Sequence, residues 1–182
     1  MKVQEKNRLI LFGALLMMTG AAVAIVSTVV FGGALAASLE ESIAEMLADP
    51  AYAAELDAAG LAADDALATM VGIIYALLGL GVAVNAVKIV VGALSLRRTD
   101  RASAFFLVWG AVFLVLGVLG VWFSGVATIF GMCDLAAGVF GPALLLAGGV
   151  QNRRAARRIL AAEREAELAA AEEAVWPPVR KG

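Results

Sequence analysis

Residues 69–96 read TMVGIIYALLGLGVAVNAVKIVVGALSL, and this stretch decides the fold class because its only charged side chain is that of Lys88. About 20 apolar residues in a helix cross the roughly 30 Å hydrocarbon core of a bilayer. The segment is therefore predicted to form one transmembrane helix, span two. Because it is longer than a single crossing requires, we expect it to tilt or to extend past the interface.

Further runs of sequence hold no charged residue at all: residues 9–39, 102–133 and 135–152. By the same length argument they predict span one at 9–31, span three at 102–123 and span four at 135–151. Spans three and four are predicted to form a helical hairpin, because irregular backbone exposed to lipid would leave costly unmade hydrogen bonds. A re-entrant segment at 128–130 is the alternative.

These spans predict the fold class and the domain organisation. We expect an all-α integral membrane four-helix bundle in residues 1–152, with short extracytoplasmic helices in an insertion at 36–67. Residues 153–182 are predicted to form a cytoplasmic tail with a C-terminal helix that continues span four to about Ala174. Span one is also similar to a cleaved secretory signal, but its apolar stretch is about twice the usual 7–15 residues, which favours an uncleaved span.

Charged residues are sorted by sign between the two sides of the predicted bundle. Residues 36–67 hold acidic side chains and no basic one, whereas basic side chains cluster beside the other ends of the spans. Because basic loops stay in the cytoplasm, we predict a multi-pass protein of the bacterial cytoplasmic membrane with cytoplasmic N- and C-termini. The three basic clusters consist of Lys2, Lys6 and Arg8; Arg97, Arg98 and Arg101; and Arg153, Arg154, Arg157 and Arg158.

The insertion at 36–67 has a helical pattern with capping signals. Ser38 and Glu41 match a capping box that would begin a helix, and Asp49-Pro50 would end it. A second short helix is predicted to end at Gly60. We expect these helices to lie across the top of the bundle or on a partner. The acidic residues are interpreted as a solvated face; a cation site is the alternative, but the order of acids in a calcium loop is missing.

The tail carries its basic residues at the membrane surface. Arg153, Arg154, Arg157 and Arg158 are predicted to contact anionic lipid headgroups, each contributing about 1 kcal/mol. A docking helix for a cytosolic partner is the alternative. The tail beyond Ala162 is net acidic, so we expect no nucleic-acid binding. The helix is predicted to end at residues 176–178, Trp-Pro-Pro.

Small residues recur along the spans at helical spacing. Helices in lipid associate through close backbone approach, so these stripes predict packing surfaces rather than phosphate loops. Pro142 is predicted to kink span four. The stripe on span two is Gly72, Ala76, Gly79, Ala83 and Ala86; shorter sets are Gly13, Gly20, Ala24 and Ser27 on span one, Gly110, Gly117 and Gly120 on span three, and Ala137 and Gly141 on span four.

A second stripe on span two is polar and includes Asn85 and Lys88. Lys88 is interpreted as snorkelling toward the cytoplasmic interface, and a polar site or water-filled path lined by Asn85 and Lys88 is the rival. A direct pair with Asp134 is not expected, because the vertical gap is about 15 Å by helix rise. Asp134 is instead predicted to be the N-cap of span four. With two distinct faces, span two is expected to be central, one face closing the bundle and the other lining a polar interior or a homo-oligomer contact.

The composition excludes most catalytic and metal chemistry. The chain is 62% hydrophobic and 16% charged, with no histidine and one cysteine, Cys133. It therefore lacks the residues of the usual zinc, haem and dithiol sites, and we predict no catalytic, cofactor-binding or metal site and no enzyme activity. Cys133 is interpreted as a buried or interfacial thiol, with an intermolecular disulfide as the alternative.

The layout of cytoplasmic ends, acidic insertion, arginine-rich inner turn and apolar hairpin, with the local segment Asp49-Pro50 to Gly60-Leu61, resembles small four-span bacterial membrane proteins of uncharacterised function. That resemblance implies no reaction. The layout is also similar to that of claudins, but residues 36–67 lack their outer-loop tryptophans and paired cysteines. Small multidrug transporters are similar in span count, but span one lacks their glutamate.

Two functions of different classes remain. The first is a non-enzymatic structural or accessory membrane protein that contacts the lipid bilayer, a membrane-protein partner or a second copy of itself. The second is a small oligomeric transporter or channel that uses the polar stripe with Asn85 and Lys88.

Overall fold

The computed structural model describes residues 6–124 and 127–175. Regular structure in this part of the chain is helical, and four of its helices are long and apolar enough to cross a membrane. The predicted all-α class with four apolar helices is therefore confirmed. The predictions for Lys2 and for the helix end at 176–178 lie outside the described residues.

Span one is the beginning of a much longer helix. Helix α1 (Arg8–Ser27) continues through a π-helical turn (Thr28–Gly32) into α2 (Gly33–Leu47). The predicted capping box is wrong, because Ser38 lies inside this helix and its hydroxyl donates to the Leu35 carbonyl at 2.9 Å. A capping side chain acts only where the chain enters a helix, and here the helix continues through Gly32 and Gly33 into the acidic residues that follow.

The predicted breaks in the insertion are confirmed. Helix α3 (Pro50–Ala58) begins after Asp49, whose carboxylate accepts from the Ala51 N–H at 2.8 Å. Gly60 has a φ of 73°, the left-handed conformation that favours glycine, and α4 (Ala63–Leu96) follows. Helix α2 packs on the beginning of α4. Helix α2 therefore extends the bundle alongside α4 instead of lying across its top.

Spans three and four form the predicted hairpin, but span four begins earlier than residue 135. Helix α5 (Phe105–Ser124) is followed by α6 (Ile129–Asp134), a π-helical segment (Leu135–Phe140) and α7 (Gly141–Val175), the last including the predicted helical tail. The N-cap is Thr128, whose hydroxyl accepts from the Gly131 N–H at 2.9 Å. Asp134 therefore lies inside the helix, so its predicted capping role is wrong, and Ile129 and Phe130 are the first residues of that helix.

Helices α1 and α7 lie in the middle of the bundle: α1 packs along both α4 and α7, and α7 also packs along α5. The expectation that span two is central is wrong: α4 lies at the edge and meets α5 only briefly. Glycines explain the central position of α1, since a Cβ at Gly13 would lie 2.7 Å from the Gly141 oxygen and one at Gly20 would lie 2.8 Å from the Ala137 Cβ. Such close approaches admit no larger residue.

One end of the bundle, here called the basic end, is held together by two asparagines. Asn7 caps α1 and donates to Asn152 Oδ1 at 2.8 Å, and Asn152 donates to the backbone oxygens of Thr99 and Arg101 at 3.0 and 3.1 Å. The N-terminal segment, the connection between α4 and α5, and the start of the tail therefore meet at the same end. The opposite end, which carries α2 and α3, is called the acidic end.

Candidate functional site: a polar pocket between the helices

The polar stripe of α4 faces the interior of the bundle. Asn85 is 9% exposed and Lys88 is 3% exposed, and Gly92 packs against Met18 of α1. The Asn85 amide Nδ2 donates to the Gly81 carbonyl at 2.9 Å. Its Oδ1 is buried and accepts no hydrogen bond from the described part of the chain. A buried acceptor of this kind is uncommon because leaving it unpaired costs about 1–3 kcal/mol.

Lys88 forms an ion pair with Asp134, at 3.7 Å between Nζ and Oδ1. The expectation that the two residues are too far apart is wrong for two physical reasons. Span four begins at Ile129, so Asp134 lies about 7.5 Å inside the helix instead of at its start. The side chains of a helix also tilt toward its N-terminus, which for α4 is the acidic end, so Lys88 reaches toward Asp134.

The same geometry overturns the snorkelling interpretation. Lys88 lies about 12 Å before the end of α4 at Leu96, and its ammonium points away from that end. Only 26% of the Asp134 side chain is exposed, so both charges of the pair are largely withdrawn from solvent. A charge in such a position is a functional candidate by default.

Glycines make room for the ion pair. A Cβ at Gly120 of α5 would lie 2.7 Å from Asp134 Oδ2, and one at Gly138 would lie 3.6 Å from Lys88 Nζ. Gly117 and Gly138 also touch directly, backbone to backbone. Gly120, one of the span-three glycines that the sequence marked as packing residues, therefore leaves space for the carboxylate.

A cavity of about 480 Å³ opens beside the ion pair. Asn85, Lys88 and Asp134 line its polar part, and apolar walls come from α1, α4 and α5. The brief contact between α4 and α5 leaves the cavity open between those helices. Its volume falls within the range of about 300–1,000 Å³ that small-molecule sites occupy. The structure thus brings the two polar residues predicted from the sequence together with Asp134, which the sequence reasoning assigned elsewhere.

The small-residue stripe of span two lies on the opposite face of α4. All of its members are exposed, and a Cβ added at Gly72 or Gly79 would meet nothing within 4 Å. The chain therefore does not use this stripe to pack its own helices together. That the stripe packs against another molecule stays a prediction. The members are Gly72, Ala76, Gly79, Ala83 and Ala86.

The basic end places the tail arginines beside the N-terminal segment. Arg153 is half-buried, and Arg154, Arg157 and Arg158 are exposed. Sequence reasoning missed the asparagine network of Asn7 and Asn152. A usable signal was present, because each asparagine stands at the border between an apolar span and a basic cluster.

The remaining candidate groups are few. The Cys133 thiol is 7% exposed, which confirms a buried thiol and leaves little access for an intermolecular disulfide. No group of three metal-ligating side chains of the His, Cys, Asp or Glu type occurs within residues 6–124 and 127–175. No family model, curated protein or solved structure matches the chain. Functional inference therefore rests on the geometry of the bundle itself.

Proposed function

We propose that the protein is a non-enzymatic, integral membrane protein of the structural or accessory kind, which acts by associating with another transmembrane helix. The observation that carries this proposal is the exposed small-residue stripe of α4. Exposed apolar side chains elsewhere on the bundle suit contact with lipid tails. A row of small residues lets the backbone of a neighbouring helix approach closely.

A contrast among the glycines supports this interpretation. In α1, α5 and the π-helical segment before α7, glycines contact a neighbouring helix, as at Gly13, Gly20, Gly117 and Gly138. Gly72 and Gly79 have the same helical spacing but open surroundings. Since this protein joins its own helices through glycines, the bare stripe is suited to joining a helix from a second copy or from a partner.

We further propose that the basic end faces the cytoplasm and that the acidic end faces outward, in the cytoplasmic membrane. Support comes from the meeting of the three basic segments at one end, which the asparagine contacts hold together. In this orientation Arg154, Arg157 and Arg158 lie at the level of anionic lipid headgroups. A reporter fused after the tail is expected to be active only in the cytoplasm, and activity restricted to the outer side would contradict the orientation.

The stripe is tested by cysteine crosslinking in native membranes. In a Cys133→Ala background, Ala76→Cys is expected to form a disulfide with the same residue of a second copy under mild oxidation, because it lies on the stripe. Met70→Cys is the matched control: it is exposed on the same helix, about 120° round the helix from Ala76. Equal crosslinking of both variants, or of neither, would contradict the proposal.

A second candidate, a small oligomeric transporter or channel, is favoured by one observation, the cavity beside Lys88 and Asp134. Its test is proton and sodium flux into vesicles that hold the native chain or Lys88→Met. The charge-free double variant Lys88→Met, Asp134→Leu serves as a control for a folded bundle without the pair. The accessory role predicts no flux that depends on Lys88, and flux that does depend on it would replace that role with transport.

A further inference from the structure

The cavity beside the ion pair has the features of a binding site, and we propose that it binds an uncharged lipophilic alcohol from the bilayer. The hydroxyl group would lie beside the Lys88–Asp134 pair, within hydrogen-bond reach of both side chains, and the hydrocarbon chain would lie along the apolar walls of the cavity. This inference does not depend on the stripe of α4, because the stripe faces away from the cavity.

The first step concerns the charge of the ligand. The ammonium of Lys88 and the carboxylate of Asp134 balance each other at 3.7 Å, so the site carries no net charge. A charged ligand would leave one unbalanced charge among apolar side chains, which is costly in a low-dielectric environment. An uncharged head group avoids that cost.

The second step concerns the hydrogen-bonding groups. A lysine ammonium has three donors and no acceptor, whereas a carboxylate only accepts. The Asn85 Oδ1 is fully buried, so the acceptor that the cavity presents is the Asp134 carboxylate, whose side chain is 26% exposed. A hydroxyl both donates and accepts, so it can accept from Lys88 while donating to Asp134.

The third step concerns the rest of the ligand. From the ion pair the cavity opens toward the acidic end along Leu77 and Leu80 of α4, whose side chains are more than half exposed, while Leu116 of α5 lies beside the pair. Along α4, Leu77 lies about 16 Å from Lys88 toward the acidic end, and this length accommodates an extended hydrocarbon chain. Because α4 and α5 meet only briefly, the hydrocarbon chain of the ligand can enter the cavity between these two helices from the lipid.

Gly81 provides a way to close the cavity without disturbing the fold. It lines the cavity, and a Cβ added there would meet nothing within 4 Å. Gly79 is the matched control, since it lies two residues away with equally open surroundings, on the exposed stripe and outside the cavity. Gly81→Leu should therefore fill the cavity, while Gly79→Leu makes the same change on the surface.

The experiment is photolabelling of the full chain in phosphatidylcholine vesicles. One probe is a long-chain alcohol with a diazirine in its chain, and the other has the same chain ending in a methyl group. We expect saturable labelling near Leu77, Leu80 and Leu116 by the alcohol, about tenfold stronger than by the methyl probe, because a hydrogen bond to a charged group is worth that factor. Unlabelled alcohol should compete with the probe, Gly81→Leu should abolish the labelling and Gly79→Leu should retain it.

Several results would overturn the proposal: equal labelling by the two probes, labelling that does not saturate, or labelling that Gly81→Leu leaves unchanged. Competition on the native chain tests the site even if Gly81→Leu fails to fold. A second test labels Leu116→Cys, in a Cys133→Ala background, with a water-soluble thiol reagent. If the reagent reacts and the alcohol does not slow the reaction, the cavity holds only water, and the proposal is overturned.

Discussion

The two faces of α4 differ in what surrounds them, although both carry small residues at helical spacing. On the inner face, Gly92 touches Met18, while Asn85 and Lys88 are buried. On the outer face, Gly72 and Gly79 have no neighbour within 4 Å of an added Cβ. Spacing alone predicts that a stripe can pack. Which face of the helix packs inside the bundle depends on the polar side chains, and in α4 the face with Asn85 and Lys88 is the buried one.

The largest expected effect concerns the inner face, where Lys88→Met removes one partner of the buried pair. Asp134 would remain as an unpaired carboxylate, and breaking a buried pair in this way costs about 3–5 kcal/mol of unfolding free energy. The measurement is equilibrium unfolding in mixed micelles by titration with dodecyl sulfate. We expect a large fall in stability or loss of the folded protein.

The double variant Lys88→Met, Asp134→Leu tests whether the pair itself or the unpaired charge matters. Replacing both charges by apolar groups is often neutral or stabilising, so most of the lost stability should return. If the double variant is as unstable as Lys88→Met, the unpaired carboxylate is not the cause. The loss of stability would then come from lost contacts of the Lys88 side chain itself.

Sequence reasoning predicted the helical class and the four apolar helices because charge exclusion over about 20 residues is a strong local signal. It also found the break at Asp49-Pro50, where a proline and a capping carboxylate act locally. It failed where a helix continues past its expected end, as at Ser38, because capping residues are common in places where no cap is needed.

The candidate site was predicted only in part, for a related reason. Asn85 and Lys88 share a helix, so their spacing places them on the same face. Asp134 is on a different helix, and its depth depends on where that helix starts. An error of six residues in the start, between Ile129 and Leu135, moved the carboxylate by about 9 Å and hid the ion pair.

A smaller effect is expected from Gly92→Ala, also on the inner face. The added Cβ would approach the Ala14 oxygen at 3.2 Å and would overlap with the Met18 side chain. Overpacking costs about 1–3 kcal/mol, and the better helix propensity of alanine returns up to about 1 kcal/mol of that. Unfolding in mixed micelles should therefore show a modest loss, which Met18→Ala in the same chain should reduce. No change in stability would mean that α1 and α4 are less closely packed than the structure shows.

The smallest effect is expected from Gly79→Ala on the outer face, and its sign decides what that face does. If the stripe faces only lipid, the alanine meets open space and raises the unfolding free energy by up to about 1 kcal/mol through helix propensity. If the stripe joins two copies, stability depends on protein concentration, and Gly79→Ala weakens that dependence by holding the helices apart. Unfolding in mixed micelles at two protein-to-detergent ratios separates these cases. Association with a second copy requires the second result, whereas a stabilised, concentration-independent variant would exclude a second copy as the molecule that covers the stripe.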